Sequence, residues 1–162
     1  MSENISPTTG EIFYSGEWER IRDLLRVLNI GPGILNTITS EMVNRYQEMV
    51  DRDIDAILSA RYHTPIIAVN KKQPDGVVRR IFPGDIVAGA RYWTAGLLLS
   101  NEFQQLEQNT QEQVEGYIET GRRKVITIAR STHTIPGQEL KGSYTRTMPP
   151  NLQPLPPPSR DW

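Results

Sequence analysis

The chain has no cysteine among its 162 residues, which excludes disulfide frameworks, cysteine-ligated zinc and thiol nucleophiles and suits folding in a reducing cytoplasm. Histidine is almost as scarce. His63 and His133 are the only two, both outside the strongest helical patterns, and neither belongs to a His-Glu-x-x-His, nucleophile-elbow or kinase-like constellation. No catalytic residue, metal ligand or cofactor is expected, and both histidines are expected to be exposed. Long apolar runs are missing too. Met1 to Gly10 is polar, without the basic and apolar blocks of a signal peptide, and the apolar stretches around Ile86 and Leu97 are interrupted by Arg91. Neither export nor a membrane partner is expected. A net charge of -1 excludes a globally basic nucleic-acid binder.

What charge there is falls in blocks. Residues 11–60 carry nine acidic and five basic side chains, and residues 92–121 carry five acidic and none basic. Residues 61–91 reverse this with six basic against two acidic, and residues 122–162 with seven against two. Such blocks are usually solvated faces, but in a ring of identical subunits they would also pair across each interface. The length suits one domain with flexible ends.

Apolar spacing predicts a mainly α fold, a small four-helix-type bundle. A first helix opens after Gly16, with Trp18, Ile21, Leu24, Leu25 and Leu28 on one face and Glu17 and Glu19 in its first turn, where the helix dipole favours anions. Gly31-Pro32-Gly33 begins a linker to Thr39; the Gly-x-Gly reads as a turn, since no Gly-Lys-Ser/Thr follows and Pro32 lacks a backbone donor. Thr39 or Ser40 then caps a second helix of about 30 Å. Its inward positions are Met42, Val43, Tyr46, Val50, Ile54, Ile57 and Leu58, with Glu41–Arg45 and Glu48–Arg52 as outer pairs. Asp51, Asp53 and Asp55 imitate the start of a calcium loop, but Ala56 and Tyr62 stand where its glycine and closing glutamate belong. They are read as solvated or interface carboxylates, with Asp53 pointing away from the other two.

Between helices two and three, residues 63–82 form a β-prone loop or hairpin around the turn chemistry of Pro74-Asp75-Gly76. Its cations, Lys71, Lys72, Arg79 and Arg80, suit either a DNA-facing site or an exposed charged edge that discourages strand aggregation; with no aromatic interleaved, the second is favoured. Pro83-Gly84-Asp85 introduces a third helix with Ile86, Ala90, Trp93, Leu97 and Phe103 apolar, and with small Ala88, Gly89, Ala95 and Gly96 permitting close approach of another helix. A fourth helix from Thr110 to about Ala129 carries Val114, Tyr117, Ile118, Val125 and Ile128 and is weakened by Gly116 and Gly121. The organisation read is a polar segment 1–16, a helical domain 17–129 and an extended arm 130–162.

Six of the twelve prolines lie between Pro149 and Pro158, so the arm lacks the makings of a packed domain. It suits a disordered linker, an SH3-type ligand or a strap on a partner, with Leu140, Tyr144, Met148, Leu152, Leu155 and Trp162 as candidate partner-binding residues. Trp162 favours anchoring.

The most specific stretch runs from Ile54 to Pro65. Ile54, Ile57, Leu58 and Tyr62 form one buried stripe, and Pro65 stops the helix. Arg61 is placed to complement exposed carbonyls there. Ile54, Asp55, Leu58, Arg61, Tyr62 and Pro65 together resemble the Ile-Asp-x-x-Leu-x-x-Arg-Tyr-x-x-Pro signature that ends the second helix of helical head-tail adaptor (connector) proteins of tailed bacteriophages. Residues 17–129 follow that family in helix order, whereas the Pro-rich tail is not shared.

The resemblance implies a structural virion protein of the neck, made in the host cytoplasm. It implies self-assembly into a twelve-membered ring under the portal protein, extension of the DNA channel with only non-specific proximity to genomic DNA, and a docking surface for a neck or tail-completion protein. The alternative is a small helical DNA-binding or regulatory protein with a Pro-rich partner-binding tail. Against it, the linker between helices one and two is long for a helix-turn-helix, and helix two is acidic for a groove reader.

Overall fold

A computed structural model describes residues 13–27, 32–103 and 108–141. Within them the protein is mainly helical, with the four longer helices and the hairpin in the order read from the sequence. Helix α1 (Trp18–Val27) starts after Gly16, whose φ of 80° lets the chain turn, and buries Ile21 and Leu25. The expected Leu28 contact lies outside the described residues. The segment read as a linker instead contains a short helix α2 (Pro32–Thr37), with the proline at its first position, where no amide donor is needed.

Thr39 caps α3 (Ser40–Leu58), its Oγ1 accepting from the Met42 amide at 3.2 Å. The expected Glu48–Arg52 pair forms, whereas Arg45 lies 3.9 Å from Glu102 on a different helix rather than beside Glu41. Strands β1 (Val69–Lys72) and β2 (Val78–Ile81) make an antiparallel hairpin with Lys71 opposite Arg79 and Asn70 opposite Arg80. At its tip Gly76 has a φ of 83° and its amide donates to the Gln73 carbonyl at 2.9 Å, so Pro74-Asp75-Gly76 performs the turn its chemistry implies.

Helix α4 (Gly84–Glu102) is the central element, packing against α1, α3 and α5 (Gln108–Arg130). That position explains its sequence. A helix enclosed on three sides is apolar nearly all round, and Leu98 and Leu99, outside the stripe read from spacing, are as buried as Ile86 and Ala90. Leu97 and Trp18, both expected in the core, are only partly buried. The α4–α5 contact is close because three glycines meet there. A Cβ on Gly121 would sit 2.6 Å from the Trp93 backbone nitrogen, and one on Gly96 would sit 2.9 Å from the Val114 carbonyl. Gly121 is therefore a notch for α4. Gly116 faces open space.

Two apolar clusters result, one at each end of α3. Val43 and Tyr46 enter the first with Ile21, Leu25, Ile38, Leu98, Leu99 and Val114. Val50, Ile54 and Leu58 enter the second with Tyr14, Tyr62, Ile66, Phe82, Ile86 and Ile135. No helix among the described residues is long and apolar enough to cross a membrane.

Candidate functional site

The six motif residues converge on one joint at the C-terminal end of α3. Ile54, Leu58 and Tyr62 lie on one face and are all fully buried, as the three/four spacing requires. Tyr62 carries a polar tip into that cluster, and its hydroxyl oxygen accepts from the Ile135 amide at 3.1 Å. Around it the chain returns alongside the helix end. Leu140 pairs antiparallel with Tyr62, the His63 amide donates to the Glu139 carbonyl at 3.0 Å, and the Lys141 amide to the Arg61 carbonyl at 2.8 Å. Gln138 continues the pairing with its side chain, accepting from the Ile67 amide at 2.9 Å and donating to the Ile67 carbonyl at 2.6 Å. The turn that makes this return possible is Ile135-Pro136-Gly137-Gln138, with Gly137 at a φ of 76° against Val69.

This joint corrects two boundaries. Residues 131–141, read as the start of the arm, are paired to the body, and Leu140, read as partner-binding, packs partly buried against the protein's own core. The other arm residues, Tyr144, Met148, Leu152, Leu155 and Trp162, lie outside the described residues. At the opposite terminus, Phe13, Tyr14 and Ser15, read into a polar segment, are almost wholly buried. The aromatic pair Phe13-Tyr14 next to Gly16 was the available signal.

Arg61 complements a carbonyl, but not one of its own helix: Nη2 donates to Thr132 at 3.3 Å while the guanidinium carbon lies 5.5 Å from the centre of the Tyr62 ring. Asp55 accepts from the Tyr14 hydroxyl at 2.5 Å, and that hydroxyl oxygen accepts in turn from the Ile66 amide at 2.9 Å. Pro65 follows a cis peptide bond. The motif thus brings three distant segments, around residues 14, 62 and 135, to one place.

Asp51 departs most from its expected role. It is 1% exposed, not solvated, and its Oδ2 accepts from the Tyr14 amide at 3.3 Å. Burial pushes its carboxyl up to about 8; the Tyr14 amide opposes this, and the neighbouring Asp55 and Glu48 charges add to it. Burial also raises Asp55, against the hydrogen bond from Tyr14. Asp53 is exposed, as its position on the helix implied. One turn before Asp51, Gln47 donates to Ser15 Oγ at 2.7 Å and to the Gly16 carbonyl at 2.8 Å. From α4, Arg91 donates to the Ser15 carbonyl at 2.9 Å, and burial, with Arg20 nearby, pulls its pKa down.

The hairpin presents a different surface. Lys71 and Lys72 are exposed, Arg79 and Arg80 occupy β2 across from β1, and Ile67, Val77 and Val78 are each more than half exposed. Its four cations are thus on one protruding element. Helix α5 divides by charge, with Glu112, Glu115 and Glu119 in its first half and Arg122, Arg123, Lys124 and Arg130 in its second. His63 and His133 are both exposed. Among the described residues no group of three or more histidine, aspartate or glutamate side chains is placed to hold a metal ion.

Compared with known proteins, the chain matches no family model, no curated protein and no solved structure.

Proposed function

We propose that this protein is a head-tail adaptor of a tailed-phage virion. Twelve copies form a ring beneath the portal protein, extend the DNA channel and present the surface to which a neck or tail-completion protein attaches. The reading assigns it no catalytic step. The observation that carries it is the architecture of the Ile54–Pro65 block. Each of Ile54, Asp55, Leu58, Arg61 and Tyr62 makes a contact that joins separate parts of the chain, which is the kind of role that would preserve a signature in a structural family.

The surface charge supports self-association. A ring of identical subunits needs two unlike faces on each subunit that fit one another. The cationic hairpin with its exposed Val77 and Val78 is one such face, and the acidic first half of α5 is a partner of opposite sign. Sedimentation of the full chain, alone and mixed with portal rings, tests the reading. The adaptor forms a ring or binds the portal, and moderate salt weakens the assembly because exposed charges are screened over about 8 Å at physiological ionic strength. A strict monomer that never engages portal or neck protein overturns it.

The hairpin cations also favour a second reading, a DNA-binding or regulatory protein. Tight, sequence-selective duplex binding would establish that one instead.

A further inference from the structure

Where α1, α4 and α5 come together the surface carries a groove of about 520 Å³, within the range of ordinary ligand clefts. Val27, Tyr92, Gln113, Gly116, Tyr117 and Thr120 line it, and none of them is charged. Tyr92 and Tyr117 meet edge to face with ring centroids 5.2 Å apart, and both rings are only partly buried. Val27 is 77% exposed, more than any other large apolar side chain among the described residues. At Gly116 nothing lies within 4 Å of where a Cβ would stand, so the α5 wall is left open. The lining therefore combines aromatic faces and a bare valine with hydrogen-bond donors, the two phenols, the Thr120 hydroxyl and the Gln113 amide. That combination suits a ligand with apolar rings and carbonyl oxygens that have no partner of their own. A polyproline helix is such a ligand: proline lacks an amide donor, and the helix has no internal hydrogen bonds, so its carbonyls are open to outside donors. Aromatic-lined grooves are how proteins recognise it.

We propose that this groove is a polyproline-binding site and that it takes the run Pro154-Leu155-Pro156-Pro157-Pro158 of the chain's own arm. The length of chain allows it. Lys141, the last described residue, is tied to Arg61, whose side chain bonds Thr132 just past the end of α5. From Arg130 back to Thr120 is about 15 Å of helix, and residues 142–153 span up to about 37 Å at about 3.1 Å each. The fit is also right. Gln113 to Thr120 covers about 10 Å of α5, and one three-residue turn of polyproline covers about 9 Å, so Pro156-Pro157-Pro158 fill the groove. Charge agrees with the direction of approach. An arm arriving from the C-terminal end of α5 passes Thr120 first and Gln113 last, which brings Arg160, two residues beyond the prolines, to exposed Glu112 and Glu115. Glu119 already pairs with Arg123, and residues 92–121 hold no basic side chain to compete for the other two. Because the arm is tethered, docking is intramolecular, and a modest contact is enough to hold it. The site belongs to the single chain and stands whether or not the protein forms a ring.

With no cysteine in the chain, Ser159→Cys gives a single attachment point for a nitroxide on the full-length protein. Paramagnetic broadening of amide NMR signals then reports what lies near the arm. When isotopically enriched, nitroxide-bearing chain is diluted into an excess of unenriched chain without nitroxide, only contacts within one molecule register. The amides of Gln113, Gly116 and Tyr117 should be broadened, while Gly76 at the hairpin tip is not. Pro156→Ala, Pro157→Ala and Pro158→Ala together alter only the arm, and Gly116→Gln projects a side chain into the groove from a position with open space around it. Each should lose the broadening. Groove amides no broader than Gly76, or broadening retained by either variant, overturns the proposal. In the converse mixture, enriched chain without nitroxide and unenriched chain bearing it, broadening at the groove would put the arm of another copy there and overturn the own-chain assignment.

Discussion

The two apolar clusters share α3 but are assembled differently. The one at its N-terminal end is built largely by helices: Ile21 and Leu25 from α1, Val43 and Tyr46 from α3, Leu98 and Leu99 from α4 and Val114 from α5. The one at its C-terminal end draws in loops, with Tyr14, Tyr62, Ile66 and Ile135 all outside helices. In the first, helix backbones satisfy their own polar groups and aliphatic side chains suffice. In the second, loop amides are carried into the interior, and tyrosine hydroxyls meet them: Tyr14 for Ile66 and Tyr62 for Ile135. Irregular chain can be buried only where such partners exist, which explains why the chain just past α3 carries Tyr62 rather than another aliphatic residue.

Matched truncations break the comparison most directly. Leu58→Ala and Leu25→Ala each remove a fully buried side chain and should each cost about 2–5 kcal/mol in denaturant melts. Only Leu58→Ala should also expose the amides of His63 and Lys141 to exchange, because the returning segment rests on its cluster. Equal loss of that protection in Leu25→Ala would merge the two regions into one.

The buried Asp51 should make stability respond to pH. The folded pKa of Asp51 lies above the value of about 4 for an unfolded aspartate, so the stability it contributes is complete below pH 4 and is lost as pH rises through about 8. Asp55 acts in the same direction. Melts of the wild type should weaken across that window, and those of Asp51→Asn should weaken less. A wild type that gains stability from pH 5 to 8 through this site would contradict the sign.

Smaller effects separate side-chain packing from hydrogen bonding. Gly121→Ala forces a methyl into the α4 backbone and should cost about 1–3 kcal/mol, despite the better helix propensity of alanine. Tyr62→Phe keeps the ring and strands the Ile135 amide, for about 1–2 kcal/mol. A melt within half a kilocalorie per mole of wild type, on the order of experimental scatter, would show that another group reaches that amide. Least of all, Gly116→Ala meets no atom within 4 Å and should be neutral or stabilise by up to about 1 kcal/mol.

Much of the helical frame was legible because helix periodicity is local. The Thr39 cap, the α3 stripe through Leu58 and the turn at Gly76 all depend on residues within a few positions of one another. The small residues of α4 announced a close neighbour. The matching notch, Gly121, read only as a weakness of its helix, because nothing local shows that Trp93 packs against it. At the motif, spacing placed Ile54, Leu58 and Tyr62 inward but offered no reason for Asp55, whose partner is 41 residues away.

Sequence alone therefore determined where the longer helices run, where the hairpin turns and which stripes are apolar, since each follows from backbone preference and side-chain period over a few residues. Only tertiary structure decided that Asp51 is buried, that residues 13–15 and 131–141 belong to the body, and that Leu140 is occupied by its own domain. Those outcomes depend on which distant segments share a volume from which water is excluded. A carboxylate and a loop look the same in sequence whether that volume forms around them or not.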